Sequence, residues 1–438
     1  MQFRLVILAI LSLLFPGPDP SAAAALTPAE VRMIATVDAE AERNIMLLER
    51  LVNQNSGTLN PEGVEKVAQM VRPELDALGF ETRWTPMPHT GRAGHLTAVH
   101  RGRPGMTRLL LIAHLDTVFE PDSPFQRFER RGDIAEGPGV VDNKGGIVVM
   151  LAALRAMQAA GTLRGANIEI ALTGDEEEAG TPRSVARADL VAAGKRADVA
   201  LDFEGLVQEG GQDMGSIARR SSNTWELRTA GRTGHSSGIF GPDVGDGAIF
   251  EMARIIAAFR TELPEPSLTF NIGLVAGGAT VKFEEEGTRS VATGKSNIIP
   301  PIALASGEFR TLSDEQTERV RRKMEEIVGG NAPQTSAGIL FAEGYPPMAP
   351  TPGNRAILAR LNAVNRDMGL AEMPELDPLR RGAGDIGFVA RDVDGLAGMG
   401  PAGSNTHAVG ETVHLPSITR QARRAAILMT RLSREPAP

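Results

Sequence analysis

The run Leu109-Leu110-Leu111-Ile112-Ala113-His114-Leu115-Asp116-Thr117 is apolar and ends in a histidine and an aspartate two residues apart. Residues i and i+2 of a strand share a face, so His114 and Asp116 would stand side by side at the strand's carboxyl end. Open α/β sheets collect ligands and catalysis there. An imidazole in that position can bind a metal, and a neighbouring carboxylate can accept its second N–H, fixing the tautomer and raising its basicity. Alone, an H-x-D pair is a weak signal.

Further groups of the same chemistry follow. Gly137-Pro138-Gly139-Val140-Val141-Asp142-Asn143-Lys144-Gly145-Gly146 is a glycine-rich turn leading into a helix, and Asp142 either ligates a metal or merely caps that helix. Asp175-Glu176-Glu177-Glu178 comes directly after the apolar run 168–172. Unpaired carboxylates are costly near a core, and a cation would relieve them. Of two adjacent glutamates, one can bind metal while its neighbour faces substrate as a base; the alternative is a solvated acidic turn. Leu201-Asp202-Phe203-Glu204-Gly205 is another acidic strand end, and Ser404-Asn405-Thr406-His407 follows a glycine-rich loop. His89, His95, His100 and His414 have no partner pattern.

The elements that must position these groups read as an α/β protein. Thr27-Pro28-Ala29-Glu30 has the form of a capping box, opening a long amphipathic helix to about residue 53. A second helix starts at Asn60-Pro61 and ends at Gly79, with Pro73 marking a kink or early break. Strands at 96–99, 109–113 and 168–172, with a helix at 145–160 between the last two, predict a sheet covered on both faces. From 221 to 342 the order becomes β-α-β-β-α-β, the ferredoxin-like arrangement of a separate small domain. Helix and strand alternation resumes from 352 to 432. The chain is therefore read as a leader at 1–25, a catalytic domain at 26–215 and 343–438, and an inserted lid at 216–342.

The 438 residues are 42% hydrophobic and 23% charged, enough for a packed core of more than one domain. A net charge of −8 without any basic block leaves no nucleic-acid or anionic-membrane surface. Arg4, the apolar run 5–15 and the small residues 22–25 have the form of a signal peptide, and the run is shorter than the ~20 residues a bilayer span requires. The protein is therefore expected to be exported, periplasmic or secreted, with no membrane span after cleavage. The absence of cysteine removes disulfides and thiolate catalysis, and leaves only nitrogen and oxygen ligands for any metal.

Taken in order, H-x-D, G-x-G-x-x-D-x-K-G-G, D-E-E, F-E and a late histidine resemble the di-zinc exopeptidase family. This family includes bacterial glutamate carboxypeptidase, succinyl-diaminopimelate desuccinylase, acetylornithine deacetylase and aminoacylase. The lid segments Gly231-Arg232-Thr233-Gly234-His235-Ser236 and Lys295-Ser296-Asn297-Ile298-Ile299-Pro300 fit the same resemblance. It implies a catalytic α/β/α sheet with the inserted lid, and two divalent ions per chain, zinc first, with cobalt and manganese as alternatives. Asp142 would bridge the two metals, with His114 and Glu204 completing one site and Glu177 and His407 the other. Asp116 would orient His114, and Glu176 would be the general base acting on a metal-bridging water. His235 would donate to the oxyanion, Asn297 would contact substrate, and Arg310 would hold a substrate carboxylate.

The implied activity is hydrolysis of an amide bond in a small peptide by a carboxypeptidase- or dipeptidase-type exopeptidase. N-acyl-amino-acid deacylation is the alternative within the same chemistry, and an inactive binding protein of the same fold is a remote third. Some relatives dimerise through the lid, with His235 serving the neighbouring subunit, and others are monomers. Two departures stand out. The segment Glu178-Ala179-Gly180-Thr181-Pro182 is one residue longer than the commoner pattern, and Tyr345 stands where the glutamate carboxypeptidases have arginine. The second weakens the case for strict C-terminal glutamate specificity.

Overall fold

The structure, a computed structural model, describes residues 26–284 and 288–437; the leader reading falls on residues outside these. Helix α1 (Pro28–Ala39) opens with the expected capping box: the Thr27 hydroxyl accepts the Glu30 N–H at 3.3 Å, and the Glu30 carboxylate accepts the Thr27 N–H at 2.8 Å. The single helix expected up to residue 53 is two, α1 and α2 (Ala41–Val52). They part at Glu40, whose carboxylate accepts from Arg155 at 2.7 Å. The bend keeps Met33 and Val37 of α1 in one core with Leu47, Leu48 and Leu51 of α2. Helix α3 (Pro61–Asp76) runs through Pro73 without the expected break. Pro73 lies in the final turn, so its missing N–H interrupts the ladder only where the helix is ending.

The main sheet comprises β1 (Glu81–Pro86), β2 (Gly94–His100), β3 (Arg108–His114), β4 (Asn167–Thr173), β5 (Val199–Asp202) and the short strand Gly395–Leu396, in the order β1-β2-β4-β3-β5-Gly395–Leu396. β1 and β2 are antiparallel to their neighbours; β4, β3, β5 and Gly395–Leu396 pair in parallel. Leu109, Leu111 and Ala113 of β3 enter the large core, while Leu110 and Ile112 enter a second core with Leu190, Ile386 and Val389 on the other face. Burial on both faces is why the run is continuously apolar. Helix α4 (Lys144–Ala159) is buried from Lys144 through Met157, and its apolar character all round suits a helix enclosed on every side. β1 was not apparent in the sequence because it is a half-exposed edge strand, ETRWTP, whose one large apolar residue is Trp84.

The chain then builds a second sheet with its own core. Its elements are β6 (Asn223–Gly231), α5 (Gly247–Glu262), β7 (Thr269–Gly278), a hairpin of β8 (Thr280–Glu284) and β9 (Arg289–Thr293), β10 (Ile302–Arg310), α6 (Asp314–Gly329) and β11 (Thr335–Phe341). The strand order β7-β10-β6-β11, all antiparallel, is that of a ferredoxin-like unit, with the hairpin an addition the sequence reading lacked. Trp225, Ile255, Phe259, Phe309 and Met324 fill its core. Helices α7 (Pro352–Asp367) and α8 (Leu415–Leu432) return to the first unit, where α8 packs on α4 and α1.

The start of α4 approaches the end of β5 so closely that a β-carbon at Gly146 would lie 2.0 Å from the Phe203 carbonyl oxygen. Helix propensity favours alanine over glycine by about 1 kcal/mol, but here the contact is with backbone and should win. Gly146→Ala is expected to lower Tm and to displace Glu204, the residue after Phe203. A Tm at or above that of the parent protein would show that this approach has slack.

Candidate active site

The sheet delivers the acidic and imidazole groups to one edge. His114 is the last residue of β3, Glu176 and Glu177 lie in the turn after β4, and Glu204 follows β5 by two residues. Asp142 stands two residues before α4, and His407 lies in the loop between the short strands Gly403–Ser404 and Thr412–His414. That loop holds Asn405 at φ 58° and His407 at φ 64°, a left-handed conformation costing a non-glycine residue about 1 kcal/mol or more.

The Asp142 carboxylate faces both histidines: Oδ1 lies 2.9 Å from His114 Nε2, and Oδ2 lies 3.0 Å from His407 Nε2. Glu204 Oε1 is 3.6 Å from His114 Nε2, and Glu177 Oε2 is 3.1 Å from His407 Nε2. Asp116 braces this arrangement from behind. Its Oδ1 lies 3.3 Å from His114 Nδ1 and accepts the Glu176 N–H at 3.0 Å. Its Oδ2 accepts the Glu177 N–H at 3.1 Å and the Thr58 hydroxyl at 2.7 Å.

Potential donor atoms of His114, Asp142 and Glu204 lie within 4.8 Å of one another, as do those of Asp142, Glu177 and His407. The two triads share Asp142. A third grouping at the same spacing joins His114 with Glu176 and Glu177. Glu177 Oε1 is buried with no hydrogen-bond partner. Burial, and after it the Asp142 charge, pushes the Glu177 carboxyl up to about 7. Glu176 is also held well above the usual carboxylate range by burial, which His114 opposes and neighbouring acids, Glu204 first, reinforce. Hydrogen bonding to Asp142, then to Glu177, raises the His407 imidazole to about 11. Carboxylates that resist ionisation beside imidazoles, with an orphaned oxygen among them, fit divalent cations held by nitrogen and oxygen.

Several supporting residues were not legible in the sequence. Glu411 is fully buried and accepts the N–H groups of Val141 at 2.8 Å, Asp142 at 3.0 Å and Gly139 at 3.2 Å, so it shapes the loop carrying Asp142. Beside it Lys144 is buried, with Nζ donating to the Gln54 carbonyl at 2.8 Å, and burial pulls its ammonium down to about 7. Arg187, 1% exposed in its side chain, pairs with Asp175 at 2.6 Å and Asp385 at 2.7 Å, and donates to the Tyr345 hydroxyl at 3.1 Å. Tyr345 in turn donates to the Glu176 carbonyl. An acid four residues beyond His407 was the only available sign of Glu411; nothing local in the sequence distinguishes Arg187 from a surface arginine.

A cleft of about 390 Å³ opens over this edge, lined by Asp142, Glu176, Glu177, Glu204 and His407 together with Arg310 and Tyr345. Arg310, the last residue of β10, reaches the cleft but forms a two-pronged pair with Glu308 at 3.1 Å. His235 and Asn297 are close to each other, the Ser236 N–H donating to the Asn297 carbonyl at 3.0 Å, yet neither lines this cleft. A larger groove, about 620 Å³, lies at the amino ends of the parallel strands around Arg108 and Asn167. None of the potential metal-binding groups among the described residues falls there, so chemistry rather than volume selects the site.

The chain is similar to known proteins in sequence and fold. The family model described as Peptidase family M20/M25/M40 matches residues 110–431. The chain is 25% identical over 329 residues to carboxypeptidase G2 of Pseudomonas sp. (strain RS-16), covering 74% of each. It is 24% identical over 389 residues to succinyl-diaminopimelate desuccinylase of Variovorax paradoxus (strain S110), covering 86% of this chain and 94% of the relative. Its fold is similar to that of a Bacillus subtilis protein described as a dinuclear metal-binding peptidase, with a TM-score of 0.60 at 16% identity, covering 90% of this chain and 99% of the other.

Removing the Glu411 side chain leaves three backbone donors of the Asp142 loop without their acceptor. Glu411→Ala is therefore expected to weaken divalent-metal affinity by roughly 10- to 100-fold, the range seen when a group supporting a ligand is lost. Competition against a chelator measures this directly. Parent-like affinity would mean that the loop keeps its shape without Glu411.

Proposed function

The chain belongs to peptidase family M20/M25/M40, and from that membership we propose that it hydrolyses an amide bond in a small peptide as a metal-dependent exopeptidase of carboxypeptidase or dipeptidase type. The observation that carries this reading is the Asp142 carboxylate, which turns one oxygen to each of two imidazoles, 2.9 Å from His114 and 3.0 Å from His407. N-acyl-amino-acid deacylation is a second reading, favoured by the similarity to a desuccinylase over 94% of that relative's length.

In this mechanism His114, Asp142 and Glu204 would hold one divalent cation, and Asp142, Glu177 and His407 would hold the other. Zinc suits the donor set, as do cobalt and manganese. When bound, two such cations lower the pKa of an attacking water and polarise the scissile carbonyl. Glu176 takes a proton as water oxygen adds to the carbonyl carbon, and delivers it to the amide nitrogen as the C–N bond breaks. Asp116 keeps the Glu176 and Glu177 backbones in place through its hydrogen bonds to both N–H groups, at 3.0 and 3.1 Å. Arg310 would exchange its Glu308 pair for a substrate carboxylate, a bidentate contact that its planar fork suits.

Residues 216–342 act as the lid in this reading. Since His235 and Asn297 do not line the cleft of their own chain, their contact with substrate requires either closure of the lid or donation to a second copy of the chain. The leader reading of residues 1–25 would place the activity outside the cytoplasm. Among the described residues no helix is long and apolar enough to cross a membrane.

The test separates the two adjacent glutamates. Glu176→Gln keeps size and loses the proton acceptor, so it should retain both metals while kcat falls by at least the ~10²–10⁴-fold typical of a lost general base. Glu177→Gln should instead weaken one metal site, with activity partly recovered at high zinc. Metal stoichiometry measured beside kcat on dipeptides and N-acyl amino acids decides. Loss of a metal in the first variant and retention of both in the second would exchange the two roles, and full activity in both would remove the hydrolase mechanism.

A further inference from the structure

Four arginines line the cleft: Arg219, Arg310, Arg380 and Arg381. Three of them are engaged or lie in solvent. Arg219 Nη1 lies 3.2 Å from Asp202 and 3.3 Å from Glu204, its Nε donates to the Gly382 carbonyl at 2.9 Å, and its Nη2 donates to the Ala383 carbonyl. Arg310 is paired with Glu308 at 3.1 Å. The Arg380 side chain is 63% exposed, 3.7 Å from Glu209.

Arg381 differs. Its side chain is only 12% exposed, and its Nε and Nη2 are both buried without a hydrogen-bond partner. The nearest acid, Glu204, has Oε2 at 3.7 Å from Arg381 Nη2, too far for a hydrogen bond, and Arg219 already claims the same oxygen. Buried guanidinium donors left unmade are costly, and in native proteins such groups have a reason. Arg219 holds the carbonyls of Gly382 and Ala383, so the backbone next to Arg381 is clamped and its side chain cannot easily swing to water. If Glu204 ligates a cation, its charge is spent there, and Arg381 is left as an uncompensated fork beside the reacting centre.

We infer that Arg381 forms an anion subsite beside Glu204 that takes a second carboxylate of the substrate, in addition to the one expected at Arg310. The inference rests on the hydrolase reading above and narrows its substrate class to amides that carry an extra carboxylate. A planar guanidinium with two free donors matches a carboxylate's two oxygens, which an ammonium or a neutral amide cannot do as well. That carboxylate can belong to the amine half of the substrate or to the acyl half.

The experiment compares kcat/KM for N-acetyl-L-glutamate, N-succinyl-L-alanine and N-acetyl-L-alanine in the full metal-loaded chain and in Arg381→Gln. The first substrate carries its extra carboxylate on the amine half, the second on the acyl half, and the third has none. Parent protein should prefer one of the first two over the third, and Arg381→Gln should shrink that preference ratio by roughly 10- to 100-fold, the worth of a hydrogen-bonded charge pair. Absence of a preference in the parent, or an unchanged ratio in the variant, would overturn the subsite. Binding of glutarate, followed by calorimetry, is read in parallel. It should weaken by a similar factor in Arg381→Gln, and measurably in Arg381→Lys, which keeps the charge and loses the fork and serves if the glutamine variant does not fold. If no substrate is cleaved but glutarate binding depends on Arg381, the deacylase reading fails while the subsite stands; equal glutarate binding in parent and variants sinks the subsite alone.

Discussion

Asp142, Glu176, Glu177 and Glu204 are all brought to one end of one sheet, with Asp116 and Asp202 buried immediately behind them. Two like charges about 4 Å apart repel by ~4 kcal/mol at the effective dielectric of a protein near its surface. A few such pairs would equal the whole net stability of a folded domain, about 5–15 kcal/mol. Burial is the first cause of the upward shifts of Glu176 and Glu177, and the neighbouring acids add to it. Positive charge must be supplied at this edge, and most of the surrounding structure can be understood as what supplies it or tolerates the remainder.

Part of the compensation is permanent. Arg219 lies against Asp202 and Glu204, and Arg187 lies between Asp175 and Asp385. Asp142 stands at the amino end of α4, where the helix dipole favours an anion. Buried N–H groups do the rest, with Asp116 receiving two from the glutamate turn and Glu411 three from the Asp142 loop. None of these touches the orphaned Glu177 Oε1. The permanent groups fix where the acids point, and the charge between the acids themselves is what the two cations of the proposed mechanism would meet.

The sequence made the large features visible because they are local. His114 ends one strand and Asp116 follows it by two residues, and the acids Glu176, Glu177 and Glu204 come just after apolar runs, so strand ends and chemistry coincide in the text of the chain. The βαββαβ order of the small domain was legible for the same reason: its periods change within a few residues. What was hidden depends on long-range pairing. Glu411 meets Asp142 across 269 residues, and Arg187 meets Asp385 across 198. The charged hairpin Thr280–Glu284 and Arg289–Thr293 and the polar edge strand Glu81–Pro86 lack the apolar signature that marks a buried strand. The placement of His235 outside its own cleft could not be read at all, because it depends on how the two units face each other.

The central claim is that one carboxylate serves two cations, and it is tested most directly by titrating chelator-stripped protein with zinc and counting ions bound, in the parent and in Asp142→Asn. The parent should bind about two ions per chain, and the variant, which removes the shared charge from both triads, should lose high affinity for both. A parent that binds a single ion, or a variant that still binds two as tightly, would show that Asp142 is not shared between metals.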